Sequence, residues 1–488
     1  DVDESVPHPH DVVRSCPGHG HEGYRYHALV SPYRLPRAVV PHRYTLALEP
    51  DLGAATFTGH VIIDATVNEP VGQIVLNAIE LDIHTVRVDG RECPFRLEAD
   101  TERLVIDSVQ DVSGIGIEIT FTGTLNDKLR GWYRSTYRDA DGTERVIATS
   151  QMQATDCRRA FPCFDEPDFK AVFDVTLIVD DGLLAVSNGQ ETERTPQPGG
   201  KVAVRFEPTM PMSTYLVAFV VGPLEATDPV MVHRTDGPPI PLRIIHVPGK
   251  AHLTAFGLDI GAFALGWYQE YYGIPYPTDK CDMLALPDFA AGAMENLGCI
   301  TYRENLLLAD PATATQIELQ TIADVVAHEI AHMWFGDLVT MKWWNGIWLN
   351  EAFATFMEIA CCDAYRPDWK RWTTFSLERS AAFEVDALAS TRSVEYPVEA
   401  PADCDGMFDV LTYQKGGSVL RMLERWLGPP GSLAFVIVGA PSRTRIDRYR
   451  EFGDRVRDEV VRINEAWRAR TGGRPDAAAF APIVLADR

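Results

Sequence analysis

The sequence predicts an α+β multidomain protein, an antiparallel β domain followed by a mainly α region, and three observations carry that expectation. With 488 residues and 46% hydrophobic content, the chain is long enough for two or three domains with sizeable cores, at roughly 150 residues per domain. Between residues 33 and 224, short runs rich in Val, Ile, Thr and Phe alternate with Gly, Pro, Asn and Asp. After Pro248 and Gly249 the hydrophobic period lengthens to that of a helix.

Taken in order, residues 1–32 contain His8, His10, Cys16, His19 and His21, a spacing that matches no closed zinc site, and read as a disordered tail. Strands are expected at 42–52, 60–67, 73–79, 85–90, 115–125, 171–179, 201–208 and 214–222, which gives the β domain its bounds of 33–226. The longest apolar run, 215–222, falls far short of the ~20 residues of a membrane span, so no transmembrane segment is expected. Helical spacing at 252–272, 312–335, 350–365 and 408–427 assigns 227–427 to the mainly α domain. The second of these helices should start just after Pro311, since proline suits a first turn. Residues 428–488 read as a short divergent helical tail, in which Tyr449, Phe452, Val456, Val460, Ile463 and Trp467 keep the spacing of one amphipathic helix.

A formal net charge of -24 argues against nucleic acid or an anionic membrane surface as the main partner, because both would repel the chain. Nine cysteines in so long a chain do not form the pattern of a disulfide framework. Reduced thiols and the lack of a signal-peptide pattern lead to the expectation of a cytoplasmic protein, taken as a monomer.

Chemistry concentrates in VVAHEIAHMWFGD, residues 325–337. At 3.6 residues per turn, His328 and His332 stack on one helix face within reach of a single ion, with Glu329 about 100° round the helix from His328. Two imidazoles could equally line a polar stripe, so a third ligand is needed. Glu351 follows nineteen residues after His332, a spacing that lets a second helix return its first turn to the ion. Two histidines and one carboxylate are the catalytic zinc pattern, one ion per chain, with a position open for water. Glu329 beside a zinc-bound water is placed to act as general base. Glu358, two turns beyond Glu351, could accept the free N–H of a ligand histidine, although the same spacing suits a solvated glutamate.

Together with GAMEN at 292–296, TYRE at 301–304, QMQATDCRRAFPCFDEPDFKAVF at 151–173 and VLTYQKGGSVL at 410–420, this pattern resembles the zinc aminopeptidases of the gluzincin group, the aminopeptidase N family. The resemblance extends over about 33–427 and implies a thermolysin-like catalytic domain. It implies that His328, His332 and Glu351 hold zinc, that Glu329 is the base and that Tyr413 stabilises the tetrahedral intermediate. Glu295, with Gln153 from the β domain, would hold the free α-amine of a peptide substrate. Gln151, Ala291, Gly292, Ala293, Met294 and Asn296 fall at the family's substrate-binding positions, with Gln151, Ala291 and Met294 lining the pocket for the first side chain. The implied activity is removal of the N-terminal residue by attack of a zinc-bound water. Two rivals stand beside it: an epoxide hydrolase of the leukotriene hydrolase branch, whose usual motif has glycine where Ala293 stands, and a peptide-binding scaffold that does not cleave.

Overall fold

The computed structural model describes residues 32–427; the histidine-bearing tail of 1–31 and the amphipathic segment expected after 427 lie outside the described residues. The alternating runs become strands because one face of each is apolar: in Val39–Asp51, the side chains of Tyr44, Leu46 and Leu48 are buried while Thr45 and Ala47 between them are more exposed. An eight-stranded sheet runs Glu191–Gln197, Lys201–Phe206, Val172–Asp180, Val39–Asp51, Thr56–Val67, Ser113–Thr124, Leu81–Val88, Arg91–Glu92. A three-stranded sheet (Val71–Asn77, Arg103–Gln110, Phe95–Glu98) and a four-stranded sheet (Leu184–Ser187, Phe219–Gly222, Glu144–Gln151, Gly131–Arg138) complete this β-rich part.

It is not purely antiparallel. Val39–Asp51 and Val172–Asp180 pair in parallel, with Tyr44 opposite Phe173 and their rings stacked at 4.8 Å. A parallel pair needs a crossover, and here the whole chain between the two strands serves as one. The hairpin Gly131–Arg138 with Glu144–Gln151 was not among the expected strands, yet it matters most for the site because its last residue is Gln151.

The second part departs from a mainly α reading at its start. Six strands form a mixed sheet in the order Glu225–Ala226, Ile240–His246, Cys281–Leu286, Cys299–Arg303, Ala293–Met294, with Val230–Val232 also on Ile240–His246. Its central pairs are parallel, and Cys281–Leu286 is buried at every position, so it lacks the alternation that reveals a one-sided strand. Among the described residues five α-helices follow or interleave: α1 (Ala255–Tyr272), α2 (Gln316–His332), α3 (Ile347–Tyr365), α4 (Arg371–Asp386) and α5 (Gly416–Leu427). α4 escaped the sequence reading because it buries only Arg371, Phe375 and Ala382, and leaves Leu377 and Phe383 largely exposed. α2 starts later than Pro311 suggests. Thr315 caps it by accepting from the Glu318 N–H, while the Glu318 carboxylate accepts from the Thr315 N–H at 2.7 Å. This reciprocal cap, spelled T-x-x-E in the sequence, outweighs the proline preference.

Several polar bonds seat the β-rich part on the helical part. Lys170 Nζ donates to the carbonyls of Asp337 and Leu338 at 2.8 and 3.2 Å. Asn188 Nδ2 donates to the Leu297 carbonyl at 2.9 Å, just beyond the 292–296 motif. The Tyr215 hydroxyl donates to the Gly336 carbonyl at 3.0 Å and accepts from Asn350 Nδ2 at 3.1 Å, joining the β-rich part to the turn after α2 and to the first turn of α3. Because Tyr215 and Asn350 are buried, Tyr215→Phe leaves the Asn350 amide without its acceptor. The expected cost is about 1–3 kcal/mol, read as a lower denaturant midpoint; an unchanged midpoint would show that the hydroxyl does not brace the two parts.

Candidate metal centre and active site

α2 ends on His332, and the residues that follow take up the carbonyls of its last turn: Ala331 accepts from the Trp334 and Phe335 N–H groups at 3.1 and 3.3 Å, and His332 from that of Asp337 at 3.1 Å. The chain reverses at Gly336, whose φ of 136° is a backbone conformation open to glycine; a Cβ there would lie 3.2 Å from His332 Nδ1. The reversal carries the chain to α3, with Glu351 in its second turn facing the two histidines.

Three donor atoms converge. His328 Nε2 lies 3.1 Å from His332 Nε2 and 3.3 Å from Glu351 Oε2, and His332 Nε2 lies 3.5 Å from the same oxygen. The opposite ring nitrogens fix the tautomers. His332 Nδ1 is 2.8 Å from the Phe335 carbonyl, which can only accept, and His328 Nδ1 is 2.6 Å from Glu358 Oε2. The Phe335 carbonyl requires a proton on His332 Nδ1, and a His328 Nδ1 that donates to Glu358 leaves its Nε2 facing inward as well, so both Nε2 atoms and a carboxylate oxygen turn toward one point. Such a set demands a cation. Two imidazoles and one carboxylate fit a divalent metal with coordination positions left over, and the hydrogen bonds to Phe335 and Glu358 orient the rings for it.

The electrostatics say the same. Burial works against charge on both imidazoles, but Glu351 and Glu358 push His328 well above its ordinary value. Glu295 and Glu351 likewise carry His332 up to about 9 against its burial. Burial would raise Glu351, yet the two histidines outweigh it and hold its carboxyl well below the usual range. Glu329 behaves oppositely: burial, with Glu295 and Glu351 adding like charge, raises it to about 8 despite the imidazoles.

The 292–296 motif forms the edge of the mixed sheet, with Ala293 opposite Tyr302 and Met294 opposite Thr301. Ala291 is exposed, Gly292 and Ala293 half-buried, Met294, Glu295 and Asn296 buried. Donor atoms of Glu295, Glu329 and His332 lie within 4.8 Å of one another. Gln153 Nε2 donates to Glu295 Oε1 at 3.4 Å, and Gln151 Nε2 to Met294 Sδ at 3.4 Å, so both glutamines reach across from the β-rich part. The Gln151 and Asn296 side-chain oxygens are buried without a hydrogen-bond partner among the described residues. Tyr413 is half-buried, its ring centroid 6.0 Å from that of His328, and burial together with the carboxylates of Glu351, Glu329 and Glu295 keeps its hydroxyl protonated.

The structure thus brings together His328, Glu329, His332, Glu351, Glu358, Tyr413, Glu295 and Gln153, with Gln151 and Met294 alongside. The sequence reading did not single out Phe335, whose carbonyl accepts from His332 Nδ1 in the turn after α2. It also missed Tyr215 and Lys170, which donate to main-chain carbonyls that no side-chain pattern reveals.

This fold and site define a class, and the comparisons agree. The sequence matches the Peptidase M1 N-terminal domain over residues 40–216 and the Peptidase family M1 domain over 256–436. The chain belongs to peptidase family M1. It is 42% identical over 399 residues to Aminopeptidase 2 of Candida albicans, covering 81% of this chain and 42% of that protein. It is 42% identical over 406 residues to Aminopeptidase M1 of Arabidopsis thaliana (81% and 45%) and 40% identical over 413 residues to the puromycin-sensitive aminopeptidase of Caenorhabditis elegans (83% and 43%). The chain spans less than half the length of these relatives.

If Glu358 orients His328, Glu358→Ala should weaken divalent-metal affinity by about 10–100-fold, measured by competition with a chromogenic chelator. Affinity equal to the unaltered chain would remove Glu358 from that role.

Proposed function

We propose that this chain is a zinc-dependent aminopeptidase that releases the N-terminal residue of peptides. The observation that carries the reading is the buried Glu295 carboxylate, held within 4.8 Å of Glu329 and His332 and beside the convergent donor set. A carboxylate so placed calls for a cation of its own, and the ammonium at the end of a peptide supplies one. Kinship with proteins named aminopeptidases supports the same choice.

His328, His332 and Glu351 would hold the zinc, which when bound supplies Lewis acidity and an acidified water. The chain's own residues do the rest. Glu295, with Gln153 donating to its other side, pairs with the α-ammonium and so fixes which peptide bond lies at the centre. A substrate without that charge leaves Glu295 desolvated and unpaired, which costs on the order of several kcal/mol. Glu329 takes a proton from the attacking water and returns it to the leaving amine, a transfer suited to a carboxylate held beside the donor set. The Tyr413 hydroxyl donates to the oxygen that gains charge in the tetrahedral intermediate. Gln151, Ala291 and Met294 line the pocket for the first side chain, and Gly292, Ala293 and Asn296 belong to the same substrate-binding stretch.

The same reading makes 33–226 a β domain and 227–427 a thermolysin-like catalytic domain. A cytoplasmic setting is supported by the eight cysteines of the described residues, all of which are free. Among the described residues no helix is long and apolar enough to cross a membrane.

The reading is tested with a short peptide and its N-acetylated twin, each with and without a chelator. Cleavage of the free peptide alone, abolished by chelation and restored by zinc, is the expected result; equal cleavage of the acetylated peptide refutes the amine anchor. Glu329→Gln should retain stoichiometric metal and lose nearly all turnover, because the amide keeps the shape and cannot take the proton. Substantial hydrolysis by that metal-replete variant would assign the base elsewhere.

A further inference from the structure

Tyr413 does not sit on an ordinary helix. Residues Leu411–Lys415 form a π-helical turn ahead of α5, in which the Lys415 N–H reaches back five residues to the Val410 carbonyl at 3.1 Å. Such a turn carries one more residue than an α turn and persists only where its surroundings hold it open. Collapse to α spacing would rotate Tyr413 against α5 by about 100°, away from His328.

The surroundings that hold it are specific. Asp409 Oδ1 accepts from the N–H groups of Leu411 and Thr412 at 2.9 and 3.1 Å, which satisfies two donors at the start of the turn. The same oxygen accepts from Arg392 Nη2 at 2.6 Å, and Arg392 Nη2 also lies 2.9 Å from Thr412 Oγ1 and 3.3 Å from the Met407 carbonyl. Arg392 Nη1 donates to the Ser393 carbonyl at 3.1 Å, which anchors the guanidinium to its own loop. At the far end of the turn, Lys415 Nζ donates to Asp386 Oδ1 at 2.6 Å and to the Arg392 carbonyl at 3.2 Å. The Arg392 side chain is only 12% exposed, whereas that of Asp409 is 39% exposed. Without the guanidinium, the Asp409 carboxylate would be drawn to solvent and the turn would lose its cap. From the inner side Gly416 allows no slack, since a Cβ on it would lie 2.5 Å from Ala352 Cβ, the residue after Glu351.

We propose that Arg392 is a positioning residue for Tyr413: through Asp409 and Thr412 it keeps the 411–415 turn in the wide register that sets the phenol beside His328. This rests on the reading of Tyr413 as the oxyanion donor, but the clamp itself is a property of the turn. None of the hydrogen bonds of the Arg392 guanidinium reaches His328, His332 or Glu351.

The test compares Arg392→Met, Arg392→Lys, Tyr413→Phe and the Arg392→Met/Tyr413→Phe double variant in the full chain. Hydrogen exchange reads the clamp without reference to activity: Arg392→Met should speed exchange of the 411–416 amides by about tenfold or more, with α3 unchanged and Arg392→Lys in between. Turnover of an aminoacyl amide reads the consequence: Arg392→Met should lower kcat by up to about 100-fold, the scale of an ångström of misplacement, with KM and metal content unchanged. In the Tyr413→Phe background the same substitution should lower kcat no further. Unchanged exchange in the 411–416 amides overturns the proposal, as does an equal loss of kcat with Tyr413 already removed. Full activity of Tyr413→Phe, or none in the unaltered chain, defeats instead the reading of Tyr413, and exchange still decides whether Arg392 holds the turn. Should Arg392→Met fail to fold, Arg392→Lys and Asp409→Asn report on the same amides.

Discussion

Two imidazole lone pairs and a carboxylate face one another at the junction of α2 and α3, with Glu295 and Glu329 buried close by. Groups crowded in this way need positive charge among them, from a metal ion or from protons on the rings, and the rest of the structure is arranged around that requirement. The turn at Gly336 and the carbonyl of Phe335 lock one ring, and Glu358 locks the other. Neither ring can rotate to relieve the conflict without giving up a hydrogen bond, so the set stays poised for a metal.

The same constraint explains why two unlike layers must meet. A site with so many buried acceptors on the helical side needs donors from elsewhere, and the β-rich part supplies them through Gln153 to Glu295 and through Lys170 and Tyr215 to the turn after α2. The parallel seam between Val39–Asp51 and Val172–Asp180 returns the chain to the sheet directly beyond Lys170, so the fold of one part fixes the chemistry available to the other. The site therefore belongs to neither part alone.

On the opposite side, α5 approaches α3 at Gly416 and Ala352 closely enough to place the Tyr413 turn beside Glu351. The width of that turn, rather than its sequence neighbours, decides where the phenol stands. α4, whose exposed Leu377 and Phe383 make it the least embedded of the helices, nonetheless contributes Asp386 to the ion pair with Lys415 that closes the turn.

The sequence by itself determined the pieces whose geometry is local. His328 and His332 share a face because a helix repeats every 3.6 residues, Glu351 follows at the distance of one helix reversal, and the β-rich beginning shows in its period of two. The residue types of the donor set and its neighbouring carboxylates were legible for that reason. The mixed sheet was not, because Cys281–Leu286 is buried on both faces and shows no alternation, and α4 was not, because it buries too little to leave a stripe. The tertiary structure alone decided the pairing of Gln153 with Glu295, the Phe335 carbonyl on His332, the bonds of Lys170 and Tyr215 to main-chain oxygens, and the clamp of Arg392 on the Tyr413 turn. Most of these join residues far apart in the chain and several end on backbone carbonyls, which every residue carries alike, so no pattern of side chains along the sequence can announce them.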